Sequence, residues 1–146
     1  MVNHTIANNL NLPHGLELGK TLRTDIDPNY PLNTNSETYE AQQYEADFNE
    51  LGFLDKVTMD EQNGHVIPED WGLTWGTSME DVVAKLSESY EVNISKRDMG
   101  KSYFASSMSD LSVQTASGVY KFYFINWKGE TKTDMGLSMI TVKPVQ

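Results

Sequence analysis

A chain of 146 residues, 38% of them apolar, is one ordinary domain's worth and long enough to close a hydrophobic core without disulfides or metals. Its formal charge of -10 repels phosphate backbones and anionic lipid surfaces, which argues against nucleic acid or a membrane surface as partner, and no apolar run approaches the roughly 20 residues that cross a bilayer. The absence of cysteine removes disulfides, thiol nucleophiles and thiolate metal sites.

Residues 1–14 are rich in Asn with scattered apolar residues, the composition of a flexible or edge-packing lead-in. They lack the basic start and apolar run of a signal peptide, so the protein is either cytoplasmic or has lost a leader. Next comes a Gly-rich stretch, 15–26, which shares its order of residues with a later one, 72–86. Gly15 matches Gly72, Leu16 matches Leu73, Leu18 matches Trp75, Gly19 matches Gly76, Thr21 matches Ser78 and Leu22 matches Met79. Either the chain contains two copies of one unit, 15–67 and 72–146 within a single domain 1–146, or two Gly-rich turns are alike by chance. In the first stretch Asp27-Pro28 stops any helix after about two turns.

Residues 27–38 form a loop by composition. Asp25, Asp27 and Asn29 have the spacing that opens a calcium loop, but Tyr30 stands where that loop needs glycine and Ser36 where it needs glutamate, so no metal is expected there. From Tyr39 to Phe48, Tyr44, Ala46 and Phe48 alternate with Glu45 and Asp47 as a half-buried strand, although 39–43 alone would also suit a helix. A turn at 49–52 leads into a second strand, Phe53 to Met59, and Asn63-Gly64 marks the next turn. The one unambiguous helix follows: Met79, Val82, Val83 and Leu86 make a single apolar stripe, and Thr77 or Ser78 caps it with an acid three residues on. Tyr90, Val92 and Ile94 alternate as a strand, and 96–101 reads as a solvated basic loop. A strand from Tyr103 to Thr115 has Leu111 and Val113 as its clearest inward pair. Val119 to Trp127, aromatic and beta-branched almost throughout, is expected to be a central strand covered on each side, with Leu137 to Val142 pairing back against it. The sum is an α+β fold: an antiparallel sheet with one or two short helices on one face.

Catalytic constellations are hard to find. His4, His14 and His65 are far apart in predicted loops and are expected to be solvent-exposed; no Gly-x-Ser-x-Gly elbow or phosphate-cradling loop occurs. Carboxylate pairs such as Glu69 with Asp70 and Glu45 with Asp47 could do acid–base work, but acids are so common here that most must be solvated surface. The expectation is a protein that is not an enzyme and needs neither cofactor nor metal. The aromatics say more: Trp71, Trp75 and Trp127 with Tyr90, Tyr103 and Tyr123 exceed what one small core face obviously needs, and aromatics on a rigid sheet anchor ligands. Trp75 is weighed toward the core; Trp71, Trp127, Tyr123 and Tyr103 are the candidate partner-binding residues.

Gly76, Ser78, Met79, Asp81, Val82 and Leu86 followed by the strands Tyr120 to Trp127 and Leu137 to Val142 resemble the repeat unit of the beta-lactamase-inhibitor-protein-like (BLIP-like) fold, shared by small outer-membrane-assembly lipoproteins. In the first half the matching residues are Gly19, Thr21, Leu22 and the strands Tyr44 to Phe48 and Phe53 to Met59. The family's helix usually ends in a Gly-x-Pro turn, where this chain has Ser87-Glu88-Ser89-Tyr90. The resemblance implies a non-catalytic bacterial protein of the envelope or extracellular medium, lipid-anchored if a leader carried the anchor, that binds another protein through its sheet. The competing expectation is a small hydrolase or carbohydrate-binding protein that uses paired carboxylates and tryptophans in a cleft.

Overall fold

A computed structural model of the protein describes residues 10–26, 38–40, 43–98, 105–127 and 136–145. In chain order they form a one-turn helix α1 (Arg23–Ile26), strands β1 (Thr38–Glu40), β2 (Glu45–Phe48) and β3 (Leu54–Asp60), helix α2 (Met79–Leu86), and strands β4 (Asn93–Asp98), β5 (Ala105–Thr115), β6 (Gly118–Trp127) and β7 (Leu137–Lys143), with short 3₁₀ turns at Pro13–Gly15, Glu61–Asn63 and Glu69–Trp71. The strands make one sheet, β1-β2-β3-β7-β6-β5-β4, antiparallel throughout. The molecule is therefore α+β, an antiparallel sheet with few helices.

Register sorts the side chains onto two faces, because successive residues of a strand point to opposite sides. One face holds the rows Ala46, Val57, Val142, Tyr120, Val113 and Met59, Ile140, Phe122, Leu111, all buried. Val82 and Leu86 of α2, together with Leu10, Leu12, Leu16, Trp71 and Leu73, join these rows in a single apolar cluster. The helix forms where its stripe predicts: Ser78 Oγ accepts the Asp81 N–H at 3.2 Å, and Met79 and Val83 pack at the edge of the cluster beside the buried pair.

The two halves of the chain close in the same manner. Gly19, at φ 77°, donates its N–H to the Leu54 carbonyl at 2.8 Å, and Leu54 donates to the Thr21 carbonyl at 2.8 Å, just before α1. Gly76, at φ 86°, donates to the Leu137 carbonyl at 2.9 Å, and Leu137 donates to the Thr77 carbonyl at 2.9 Å, just before α2. Each receiving strand then bulges by one residue, Asp55 in β3 and Ser138 in β7. β3 and β7 lie side by side, and the pair Thr58–Thr141 is flanked by Val57–Val142 and Met59–Ile140. A local two-fold axis through that threonine pair exchanges Leu54 with Leu137 and one bulge with the other.

Several sequence expectations change. The lead-in is part of the core from residue 10 onward: the Trp71 indole donates to the Asn11 carbonyl at 3.0 Å and the Tyr120 hydroxyl to the Leu10 carbonyl at 2.8 Å. The stretch from Tyr39 to Phe48 is a hairpin of two short strands, since Tyr39 pairs with Ala46. Residues 96–98, expected in a loop, extend the edge strand β4, which begins only at Asn93; an edge strand with solvent beside it tolerates a charged sequence. His65 is buried instead of exposed: its Nδ1 accepts the Asp60 N–H at 3.0 Å, and its carbonyl accepts the Trp75 indole at 2.8 Å. Beyond Asp25 the calcium-like spacing, and with it His4, lies outside the described residues; Asp25 itself accepts the Leu22 N–H at 2.9 Å.

Candidate interaction surface

The second face of the sheet carries a mixed polar and apolar set of side chains. Its rows are Glu45, Thr58, Thr141, Lys121, Ser112 and Asp60, Met139, Tyr123, Asp110, with Ile125 paired to Met108 one step further along. Ile125 is buried yet stands outside the apolar cluster of the other face. Tyr123, Ile125, Met139 and Met108 thus form a compact apolar and aromatic patch, positioned by two strand pairs and the β7 bulge at Ser138. The bulge matters for register: it returns Leu137 to the core face while leaving Met139 beside Tyr123.

Around this patch the shorter side chains are submerged and the longer ones remain accessible. Thr58, Thr141 and Asp110 are nearly inaccessible, whereas Asp60, Lys121, Tyr123 and Met139 are half-exposed. Such a surface has a relaxed supply of contact area: Tyr offers a large ring at small conformational cost, and Met adapts to irregular shapes. The half-exposed Asp60 stands beside Met139, and Glu45 and Asp47 lie on the same face of β2, so a cation-rich or neutral rim on a partner is the electrostatic match.

The four aromatic residues singled out in the sequence are placed differently. Tyr123 lies in the patch. Trp71 is 1% exposed, edge-on to Tyr120 with ring centroids 5.5 Å apart, so its surface is spent on the core. Trp127 ends β6 in register with Ala105, and Tyr103 lies outside the described residues. Trp75, weighed toward the core, packs half-buried against it. Met139, Ile125 and Met108 escaped the sequence reading; the signal that finds them is strand register, since each sits across from or two residues away from another member of the patch.

For the competing cleft reading, Glu69 and Asp70 are exposed on a 3₁₀ turn beside the buried Trp71. Glu45 and Asp47 stand two apart on one strand. Among the described residues no group of three or more His, Asp or Glu side chains is placed to hold a metal ion, and no helix is long and apolar enough to cross a membrane. In comparisons with known proteins, no protein family, curated relative or solved structure matches the chain.

Proposed function

We propose that this chain is a non-catalytic binding module of BLIP-like type, and that it receives another protein on the sheet face carrying Tyr123 and Met139. The observation that carries the reading is the division of labour between the faces. Every buried apolar residue of α2 and the N-terminal segment joins one cluster on one side of the sheet, while an aromatic and methionine patch with Asp60 beside it stands on the other. The repeated closing turns of the two halves support the tandem-unit part of the same resemblance: two copies of one α-β unit, joined through β3 and β7. The partner's matching surface has an apolar centre and a basic or neutral rim, since a net charge of -10 disfavours an acidic one. The resemblance also assigns the protein to the bacterial envelope or exterior.

The test compares the protein with a Tyr123→Ala/Met139→Ala double variant, both immobilised and exposed to envelope extract. A partner retained by the first and released by the second, with unchanged circular dichroism, supports the reading; removing aromatic and methionine anchors from the centre of an interface is expected to weaken binding at least tenfold. A partner held equally by both places the interface elsewhere, and hydrolysis of a carbohydrate or ester substrate that survives in the double variant favours the cleft reading.

A further inference from the structure

A second site lies away from that face, in an open cleft of about 1030 Å³ between the N-terminal turn, α1 and the β1–β2 hairpin; His14, Asp25, Ile26, Tyr39, Tyr44 and Asn63 are among its walls. Three features set it apart from a surface dent. His14 holds a left-handed backbone, φ 57° and ψ 26°, the one described non-glycine residue at positive φ. Backbone strain of this kind is stored where surrounding contacts fix it, and it concentrates at ligand clamps. Here the contacts are the Gln43 side-chain oxygen, 2.6 Å from His14 Nε2, and the Tyr44 ring, whose centroid is 5.9 Å from that of the imidazole.

The second feature is aromatic convergence. Tyr39 of β1 and Tyr44, just ahead of β2, line the same cleft as His14, so three rings contribute to its walls. Burial raises the Tyr44 phenol above its ordinary value, with the neighbouring Tyr39 adding to the rise, which fits a ring packed into the wall of the cleft. The third is charge. Asp25 lines the cleft; one of its oxygens already accepts the Leu22 N–H, so its carboxylate is held in place by the turn it caps. Aromatic faces and a fixed carboxylate, in a chain of charge -10, select a cation against an anion or a sugar.

We infer that this cleft binds an organic monocation, an alkylammonium or guanidinium head group, against the wall formed by Tyr39 and the paired rings of His14 and Tyr44, with Asp25 as counter-charge. The same chemistry is offered by a free quaternary ammonium compound and by a lysine or arginine side chain of a partner. The site is independent of the sheet-face reading, because none of its walls belongs to the patch around Tyr123.

The experiment titrates the full chain with tetramethylammonium chloride, with an arginine amide acetylated at its α-amino group and, as a neutral analogue, with tert-butanol, following the ring proton resonances of His14, Tyr39 and Tyr44. Saturable shifts are expected with a cation at concentrations on the order of millimolar, with no matching response to tert-butanol. Tetramethylammonium alone acting assigns a free ammonium ligand, and the arginine amide acting more strongly assigns a partner side chain. Asp25→Asn keeps an oxygen for the Leu22 N–H and loses the charge, so it is expected to weaken cation binding about fivefold with the fold intact; Tyr39→Leu is expected to do so while retaining an apolar wall. Equal shifts with tert-butanol, no saturable shift with either cation, or undiminished binding in both variants would each overturn the assignment.

Discussion

Tyr120 shows how one side chain ties the ends of the chain together. It lies near the start of β6, is fully buried, donates to the Leu10 carbonyl at 2.8 Å and stands 2.9 Å from Ser117 Oγ, which is itself 3.2 Å from the same carbonyl. Tyr120→Phe keeps the ring and its edge contact with Trp71 but leaves the buried Leu10 carbonyl with a weaker partner, at an expected cost of about 1 kcal/mol. The hydroxyl also links stability to pH. Burial, opposed by hydrogen bonds from Ser117 and Thr115, raises the phenol above 10.0. A neutral acid with a raised folded pKa is protonated longer in the folded state than in the unfolded one, so its contribution is complete below about pH 10 and is lost as pH climbs through the raised value. Urea midpoints measured on the alkaline side should fall less steeply in Tyr120→Phe than in the parent, with Tyr44, raised in the same direction, supplying part of the remaining slope. Identical slopes would show that Tyr120 is not protected from solvent as the geometry requires. None of this linkage is visible from residue types alone: a tyrosine in an apolar strand is legible as buried, but its partner lies 110 positions away.

At the scale of elements, legibility followed periodicity. α2 was readable because four apolar residues repeat at helical spacing and a serine precedes them, and its cap and buried stripe lie where that pattern sets them. β6 and β7 were readable from dense beta-branched and aromatic composition. The β1–β2 hairpin was not, since no Gly, Pro, Asn or Asp stands between Glu40 and Glu45 to signal a turn, and β4 was not, because Lys96, Arg97 and Asp98 carry no apolar period on an edge strand. For β6, composition gives Tyr123 and Ile125 as apolar, and only register shows them gathered with Met108 and Met139 on the face opposite the core, where Ile125 is buried and Tyr123 half-exposed. The closing turns were legible as Gly-rich repeats, but not the reason for a further glycine, Gly136. A Cβ there would meet the Gly76 backbone at 2.6–2.8 Å, a clash of main chain with main chain that no rotamer relieves. Gly136→Ala must therefore separate the bridge between Ser78 and Gly136 that seats α2 on β7, costing about 1–3 kcal/mol. Gly64→Ala provides the contrast: its φ is 76° with nothing within 4 Å of the added carbon, so only left-handed strain of about 1–2 kcal/mol is expected. Chemical denaturation of both separates the mechanisms, for Gly136→Ala should also weaken amide protection at Gly76 and Leu137, and Gly64→Ala should leave those amides unchanged.

The whole molecule is two meanders sharing one seam. β1-β2-β3 and β4-β5-β6-β7 meet only through β3 and β7 in the sheet, about the axis through Thr58 and Thr141. Covering layers cross the same seam: the N-terminal segment is held by Trp71 and Tyr120, and Leu10, Leu12 and Leu16 belong to one buried cluster with residues of both halves. Similar units in tandem would be separable if each closed its own core, but here the first contributes a helix of one turn and borrows its cover, while the second would expose Trp71 and the Ile140 and Val142 edge without it. Exposing that much buried apolar area costs more than the few kcal/mol by which a domain of this size is stable. Fragments 1–67 and 68–146, produced separately, are therefore expected to lack dispersed amide spectra, and mixing them is expected to restore both the spectrum and a single cooperative unfolding transition. A second fragment that folds alone with native shifts at Tyr120, Phe122 and Ile140 would show that the seam joins two finished units and that the N-terminal segment is a removable cover; failure of both fragments until mixed would show that the repeated turns build one core between them.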